Sequence, residues 1–137
     1  MKYKLILILL LFSTCFAKTK IELVEIYDGD TIKAKINKEE FPVRLLGVDC
    51  FETSKINRAY KQAYENNLKI EEVIKQGKNA KKYLQKLYEA SAKNVTFDFC
   101  GIDKYSRALG VLYFDEININ NELINRNICK KYSYSID

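Results

Sequence analysis

Carboxylates gather in three short segments, each with the composition of a turn or a strand end. Asp28 and Asp30 bracket Gly29, Asp49 and Glu52 follow the run Val43-Arg44-Leu45-Leu46-Gly47-Val48, and Asp103 opens Asp103-Lys104-Tyr105-Ser106-Arg107. Taken alone, Asp-Gly-Asp is hairpin-turn chemistry. If the first and third strands lie close in one sheet, however, Asp30, Asp49 and Glu52 can converge on one point. Converging carboxylates repel, and a divalent cation relieves that repulsion. The chain has no His, and no two of its cysteines are spaced Cys-x-x-Cys. An oxygen donor set of this kind suits Ca2+ or Mg2+. Lack of His also excludes Ser-His-Asp triads, imidazole bases and zinc sites built on imidazole.

Two arginines supply the complementary charge. Arg44 interrupts an apolar strand, where a charge is costly unless it meets a partner or solvent. Arg107 starts a later strand directly after a tight turn. A carboxylate-held cation with two converging guanidiniums suits a phosphate diester: cation and arginines neutralise the growing charge on its oxygens, and a carboxylate activates water. A solvent-facing strand residue or a structural ion pair would explain Arg44 equally well.

The surrounding elements must position these groups. Ile21–Tyr27 and Thr31–Ile36 are strand-like and meet at the Asp28-Gly29-Asp30 turn; Phe41–Val48 is a third strand, with Pro42 at its start. From Ile56 to Ala92 the chain is rich in Lys, Glu, Ala, Leu and Tyr, and it predicts two helices separated by Gly77. Val95–Phe99 and Leu109–Phe114 are two further strands, followed by a short helix over Asn121–Arg126. Five strands with an intervening helical segment predict an α+β fold containing a small antiparallel barrel.

With 137 residues, 47% hydrophobic and 30% charged, the chain fits one globular domain. Its ends are organised differently. Lys2 and Lys4 precede the apolar run Leu5–Phe12, and small residues lead to Ala17. This is the pattern of a secretory signal peptide over residues 1–17, too short to span a bilayer comfortably. The expected mature domain is 18–137, secreted or periplasmic and without a membrane span. Cys15 offers an alternative as a lipidated cysteine, although Thr14 is a poor residue before one. Cleavage would leave 21 basic against 18 acidic side chains from the original 23 and 18, a nearly balanced chain. Cys50, Cys100 and Cys129 would remain, so one disulfide and one thiol are expected, with three connectivities open.

The segments Asp28-Gly29-Asp30-Thr31, Val43-Arg44-Leu45-Leu46-Gly47-Val48-Asp49 with Glu52-Thr53, and Asp103-Lys104-Tyr105-Ser106-Arg107 together resemble the staphylococcal nuclease family. The likeness keeps the family's motif order and covers roughly residues 20–130. It implies a five-stranded OB-fold barrel with two to three helices and a Ca2+-dependent phosphodiesterase acting on DNA and RNA. By that likeness Asp30, Asp49 and the Cys50 backbone carbonyl would hold calcium, with Asp28 just outside. Glu52 would activate water, Arg44 and Arg107 would grip the scissile phosphate, and Lys104 and Tyr105 would touch the nucleotide's terminal phosphate. In the resembling fold the segments after Asp49 and after the last helix run side by side, which implies a Cys50–Cys129 bridge and a free Cys100. No stable protein partner is implied, and a monomer is expected.

Three departures stand out. Phe51 replaces a usual Pro, Ser106 replaces a usual Gly, and the stretch 54–76 is longer than in the type member and should add a helix near the active-site loop. The competing expectation is a non-catalytic OB-fold module that binds nucleic acid through aromatics and a basic groove. Such a binder has no need of converging carboxylates, which repel phosphate.

Overall fold

The apolar alternation of the first third does form a meander. In the computed structural model, which describes Cys15 and residues 17–133, the chain forms β1 (Thr19–Lys20), β2 (Glu22–Asp28), β3 (Thr31–Ile36), β4 (Glu39–Leu45) and β5 (Val48–Asp49). Helices α1 (Asn57–Glu65) and α2 (Ile70–Ala90) follow, then β6 (Val95–Ile102), β7 (Ala108–Phe114), β8 (Ile117–Asn118), α3 (Ile119–Asn125) and β9 (Lys130–Lys131). The expected signal peptide lies outside the described residues except for Cys15 and Ala17. Among the described residues, no helix is long and apolar enough to cross a membrane.

The main sheet runs β1-β6-β7-β4-β3-β2, with β8 added to β7. All its pairings are antiparallel except β4 with β7, where Arg44 faces Leu109 across the ladder. The two ends of the path, β1 and β2, are successive stretches of one N-terminal segment interrupted only by Ile21. That segment therefore lends its start to β6 and the rest to β3. No β1–β2 ladder closes the ring, yet the strand order and the α+β class agree with the OB-fold expectation.

Inward residues of the sheet, among them Ile26, Ile32, Ala34, Val43, Leu45, Phe97, Leu112 and Phe114, pack against Ala80 and Leu84 of α2 and Ile119 and Leu123 of α3. Burying aliphatic and aromatic side chains of this size contributes about 1.5–3 kcal/mol each. A second, smaller cluster of Ala59, Ala63 and Val73 joins α1 to α2, with Phe51 packed against it. Phe51 in place of Pro thus anchors its loop by burial. The buried side chain of Asn120 ties the end of β4 to the middle of β7: it accepts from the Leu112 amide at 3.0 Å and donates to the Leu46 and Gly110 carbonyls at 2.9 and 3.1 Å.

Several expectations are corrected. The third strand ends at Leu45; Gly47 turns the chain with φ +74°, and Val48–Asp49 pairs instead with Lys130–Lys131. The helical segment breaks at Asn66–Lys69, where Asn67 adopts φ +53°, rather than at Gly77. Gly77 lies inside α2 for a different reason: a Cβ there would collide with the backbone carbonyl of Glu52. Glycine lets the helix approach the loop that carries Glu52. Gly77→Ala should accordingly cost about 1–3 kcal/mol through overpacking, read as a lower urea midpoint, and it should push the Glu52 loop away from α2. Cysteine pairing is partly as implied: Cys50 is bonded to Cys129, but Cys100 is bonded to Cys15 and is not free. The pairing of Cys100 depends on where the N-terminal segment lies, which spacing does not reveal.

Candidate active site

Asp30 closes the β2–β3 turn. Its backbone amide donates to Asp28 Oδ1 at 3.1 Å, an Asx turn that accounts for the Asp-Gly-Asp spacing. The Asp30 carbonyl accepts from the Leu45 amide at 2.9 Å, so the turn is stitched to the end of β4. Asp30 is only 5% exposed and Arg44 8%. Burial of this depth demands partners. Arg44 Nη1 lies 2.9 Å from Asp30 Oδ2, and the Cys50 amide donates to the same oxygen at 2.6 Å. Thr31 Oγ1 donates to the other carboxylate oxygen at 3.1 Å. Desolvation, reinforced by the neighbouring Asp28 charge, pushes the Asp30 carboxyl up to about 7 against the pull of Arg44.

The second acidic segment meets the same guanidinium. Asp49 Oδ1 is 3.6 Å from Arg44 Nη2, so Arg44 spans both aspartates. Its place within an apolar strand is therefore an ion-pair position facing carboxylates, and not an outward strand residue. Glu52 follows three residues later and is largely buried. Desolvation raises its pKa above the ordinary carboxylate value, and the charges of Asp30 and Asp49 raise it further. Asp30, Asp49 and Glu52 are thus electrostatically coupled, as their positions at strand ends suggested.

Two residues outside the recognised motifs complete this centre. Arg58 of α1 places Nη2 2.6 Å from Asp49 Oδ1 and Nε 3.1 Å from Glu52 Oε1. Gln62, one helical turn on and 4% exposed, donates Nε2 to the Cys50 carbonyl at 3.2 Å and accepts the Glu52 amide at 3.0 Å. The i, i+4 spacing of Arg58 and Gln62 puts both on the face of α1 that covers the 49–52 loop. Lys130 beside β5 donates to Asn66 Oδ1 at the other end of α1. The sequence signalled an added helix here but not which of its polar residues turn inward, since Arg and Gln are ordinary surface residues of a helix.

Arg107 stands apart from the carboxylates. Its Nε is paired with Asp103 Oδ2 at 2.7 Å, while Asp103 Oδ1 accepts the amides of Tyr105 and Arg107 at 2.9 and 3.0 Å. Burial opposes ionisation of Asp103, but these hydrogen bonds and the Arg107 charge outweigh it and hold the carboxyl below its usual value. Ser106, in the usual Gly position, adopts φ +62°, a left-handed conformation that costs a non-glycine residue about 1 kcal/mol or more. The Asp103 side chain and the Ser106 amide-to-Asp103 carbonyl bond at 3.0 Å hold the turn in spite of it. Ladder register places Arg107 immediately before Ala108, the partner of Val43. It thus immediately precedes the strand next to that of Arg44. Among the described residues Asp103 is the one acid it pairs with. Tyr105 is exposed at the turn's tip, with Lys104 Nζ 5.1 Å and Arg107 Cζ 5.3 Å from its ring centre.

As placed, no three Asp, Glu or Cys side chains among the described residues form a ready-made metal cage. Arg44 and Arg58 lie between the acids instead. The donor chemistry nevertheless fits a hard cation: Asp30 and Asp49 offer carboxylate oxygens, and Cys50 offers a carbonyl. Asp28, tied to the Asp30 amide, sits one step outside that set.

A family model for staphylococcal nuclease homologues matches residues 42–136. The chain is 33% identical over 136 residues to an uncharacterized endonuclease of Haemophilus influenzae, covering 95% of this chain and 64% of that protein. It is 34% identical over 120 residues to an uncharacterized protein of Methanocaldococcus jannaschii, covering 83% of this chain and 56% of that one. The chain therefore spans roughly three-fifths of the length of these two relatives. With the family's three motifs set at the ends of an OB-type sheet and a family match across most of its length, the chain belongs to the staphylococcal nuclease family.

Proposed function

We propose that the protein is an exported, calcium-dependent nuclease that hydrolyses phosphodiester bonds of DNA and RNA. The observation that carries this reading is the bridging of Asp30 and Asp49 by the buried Arg44, with the electrostatically coupled Glu52 beside them. Asp30, Asp49 and the Cys50 carbonyl would hold calcium, with Asp28 in the outer shell; the bound ion would supply positive charge to the phosphate oxygens. Glu52 accepts a proton from water as the water oxygen bonds to phosphorus, and its raised pKa brings it nearer the range of an effective base. Arg44 and Arg107 donate to the phosphate oxygens as their negative charge grows. The bond to the leaving oxygen then breaks. Lys104 and Tyr105, exposed on the β6–β7 turn, would touch the nucleotide's terminal phosphate.

The experiment is a gel assay of DNA and RNA incubated with the purified protein and calcium, run beside a binding assay. Shortened products from both polymers are expected. Retarded but intact nucleic acid would instead identify a binding module of the OB type.

Export has its own readout. Cleavage after Ala17 would remove Cys15 and leave Cys100 without the partner it has in the uncleaved chain. The mature protein should therefore begin at Lys18 and carry one alkylatable thiol, at Cys100, with the Cys50–Cys129 bridge intact. Intact mass before and after alkylation checks this. A secreted protein that retains Cys15 and has no alkylatable thiol would contradict the boundary.

A further inference from the structure

Helix α1 belongs to the stretch that is longer than in the type member, and its first turn puts a cation among the acids. Arg58 reaches Asp49 at 2.6 Å and Glu52 at 3.1 Å, the former one of the proposed calcium ligands and the latter the proposed base. Gln62, from the next turn, fixes both the Cys50 carbonyl and the Glu52 amide. The helix is held at its far end through Asn66 and Lys130 and through the Ala59, Ala63 and Val73 cluster. Arg58 is thus delivered to the carboxylates by a docked element. Its side chain is about half exposed, whereas that of Arg44 is buried. An exposed ion pair is weak and can open, while a buried one is costly to break.

We propose that Arg58 is a positioning residue for the calcium site, an internal counter-cation that holds Asp49 and Glu52 together in the metal-free protein and swings off Asp49 when the divalent cation binds. This rests on the calcium reading of Asp30 and Asp49. Gln62 stays in place through that change, because its contacts are to backbone groups and the Cys50 carbonyl it binds keeps a second lone pair for the cation. Arg44, buried and held by Asp30 at 2.9 Å, contacts Asp49 at the longer distance of 3.6 Å, so Arg58, the more exposed of the two arginines at Asp49, is the one a cation displaces.

The test is calorimetric titration of calcium into the whole purified protein without nucleic acid, for wild type, Arg58→Met, Arg58→Lys and Lys61→Met. Lys61 lies on the same helix and among the described residues pairs with Glu65 alone, so it controls for loss of one positive charge. Losing one partly exposed ion pair, that with Asp49, corresponds to roughly 1.4- to 5-fold in an equilibrium constant. Arg58→Met should tighten calcium binding by about that factor and lower the melting temperature of the calcium-free protein. Arg58→Lys should tighten it less, since an ammonium cannot span both carboxylates as a guanidinium does. Lys61→Met should match wild type. Unchanged or weaker binding by Arg58→Met overturns the proposal, as does equal tightening by Lys61→Met. If wild type and Arg58→Met both take up no calcium, the calcium site itself fails, and the role of Arg58 fails with it.

Discussion

Glu52→Gln is expected to slow single-turnover cleavage about 10²- to 10⁴-fold, the usual cost of losing a general base. Gln is nearly isosteric with Glu but cannot take the proton from water. The local fold should tolerate the change: the Glu52 backbone amide stays bonded to Gln62, and Gly77 still supports the loop from beneath. Only the ion pair with Arg58 goes, and it is partly exposed. Nucleic-acid affinity should hold or rise, because a negative charge facing phosphate has been removed. Cleavage rate and affinity measured on the same preparation separate the two effects. A wild-type rate from Glu52→Gln would mean that Glu52 is not the base.

Arg107→Lys should also depress the rate strongly, with Arg107→Ala at least as severe. A lysine ammonium is a point charge and cannot make the planar two-pronged contact of a guanidinium with phosphate. Arg107 is a cleaner test of that contact than Arg44. Arg44 bridges buried Asp30 to Asp49, and removing one partner of a buried ion pair costs about 3–5 kcal/mol. Arg44→Lys should fail in catalysis too, but its loss would mix lost phosphate binding with a disturbed site. Among the described residues the Arg107 side chain is held by Asp103, through its Nε, and by the exposed Tyr105 ring, both in its own turn. Thermal melts should therefore show a small change for Arg107→Lys beside a large fall in rate. Full activity of Arg107→Lys would reduce Arg107 to an electrostatic or structural role.

The acids were legible because each sits where local sequence rules are strongest. Asp-Gly-Asp is a turn signal, Asp49 and Glu52 follow an unmistakable apolar strand, and Asp103 begins a tight turn. Arg44 was legible as an anomaly, since a charge inside an apolar run needs a partner, and the structure supplies two. Positive φ at Ser106 was likewise foreseeable from the residue it replaces.

What escaped the sequence depends on distant chain segments. Gly77 looks like a helix break, yet it serves a backbone approach to Glu52, twenty-five residues earlier, that no local pattern encodes. The true break, at Asn66–Lys69, is made by an Asn in left-handed conformation among residues otherwise typical of helix. Arg58 and Gln62 read as surface positions because only the docking of α1 over the 49–52 loop turns them inward. The end of the third strand at Leu45 is set by Asn120, which binds the Leu46 carbonyl from seventy-four residues away. Cys100 was expected to be unpaired because Cys15 was assigned to a removed segment.

The dependence of cleavage on calcium tests the central claim most directly. Single-turnover hydrolysis of a short end-labelled DNA would be followed in calcium, after excess chelator, and after calcium is restored, with Asp49→Ala run in parallel. Asp49 is a proposed ligand whose partners, Arg44 and Arg58, keep other contacts when it is lost. Wild-type cleavage should vanish in chelator and return with calcium, while Asp49→Ala should remain folded and inactive throughout. Undiminished wild-type cleavage in chelator, or full calcium-dependent cleavage by Asp49→Ala, would contradict the assignment of this carboxylate–arginine centre as a calcium-dependent nuclease site.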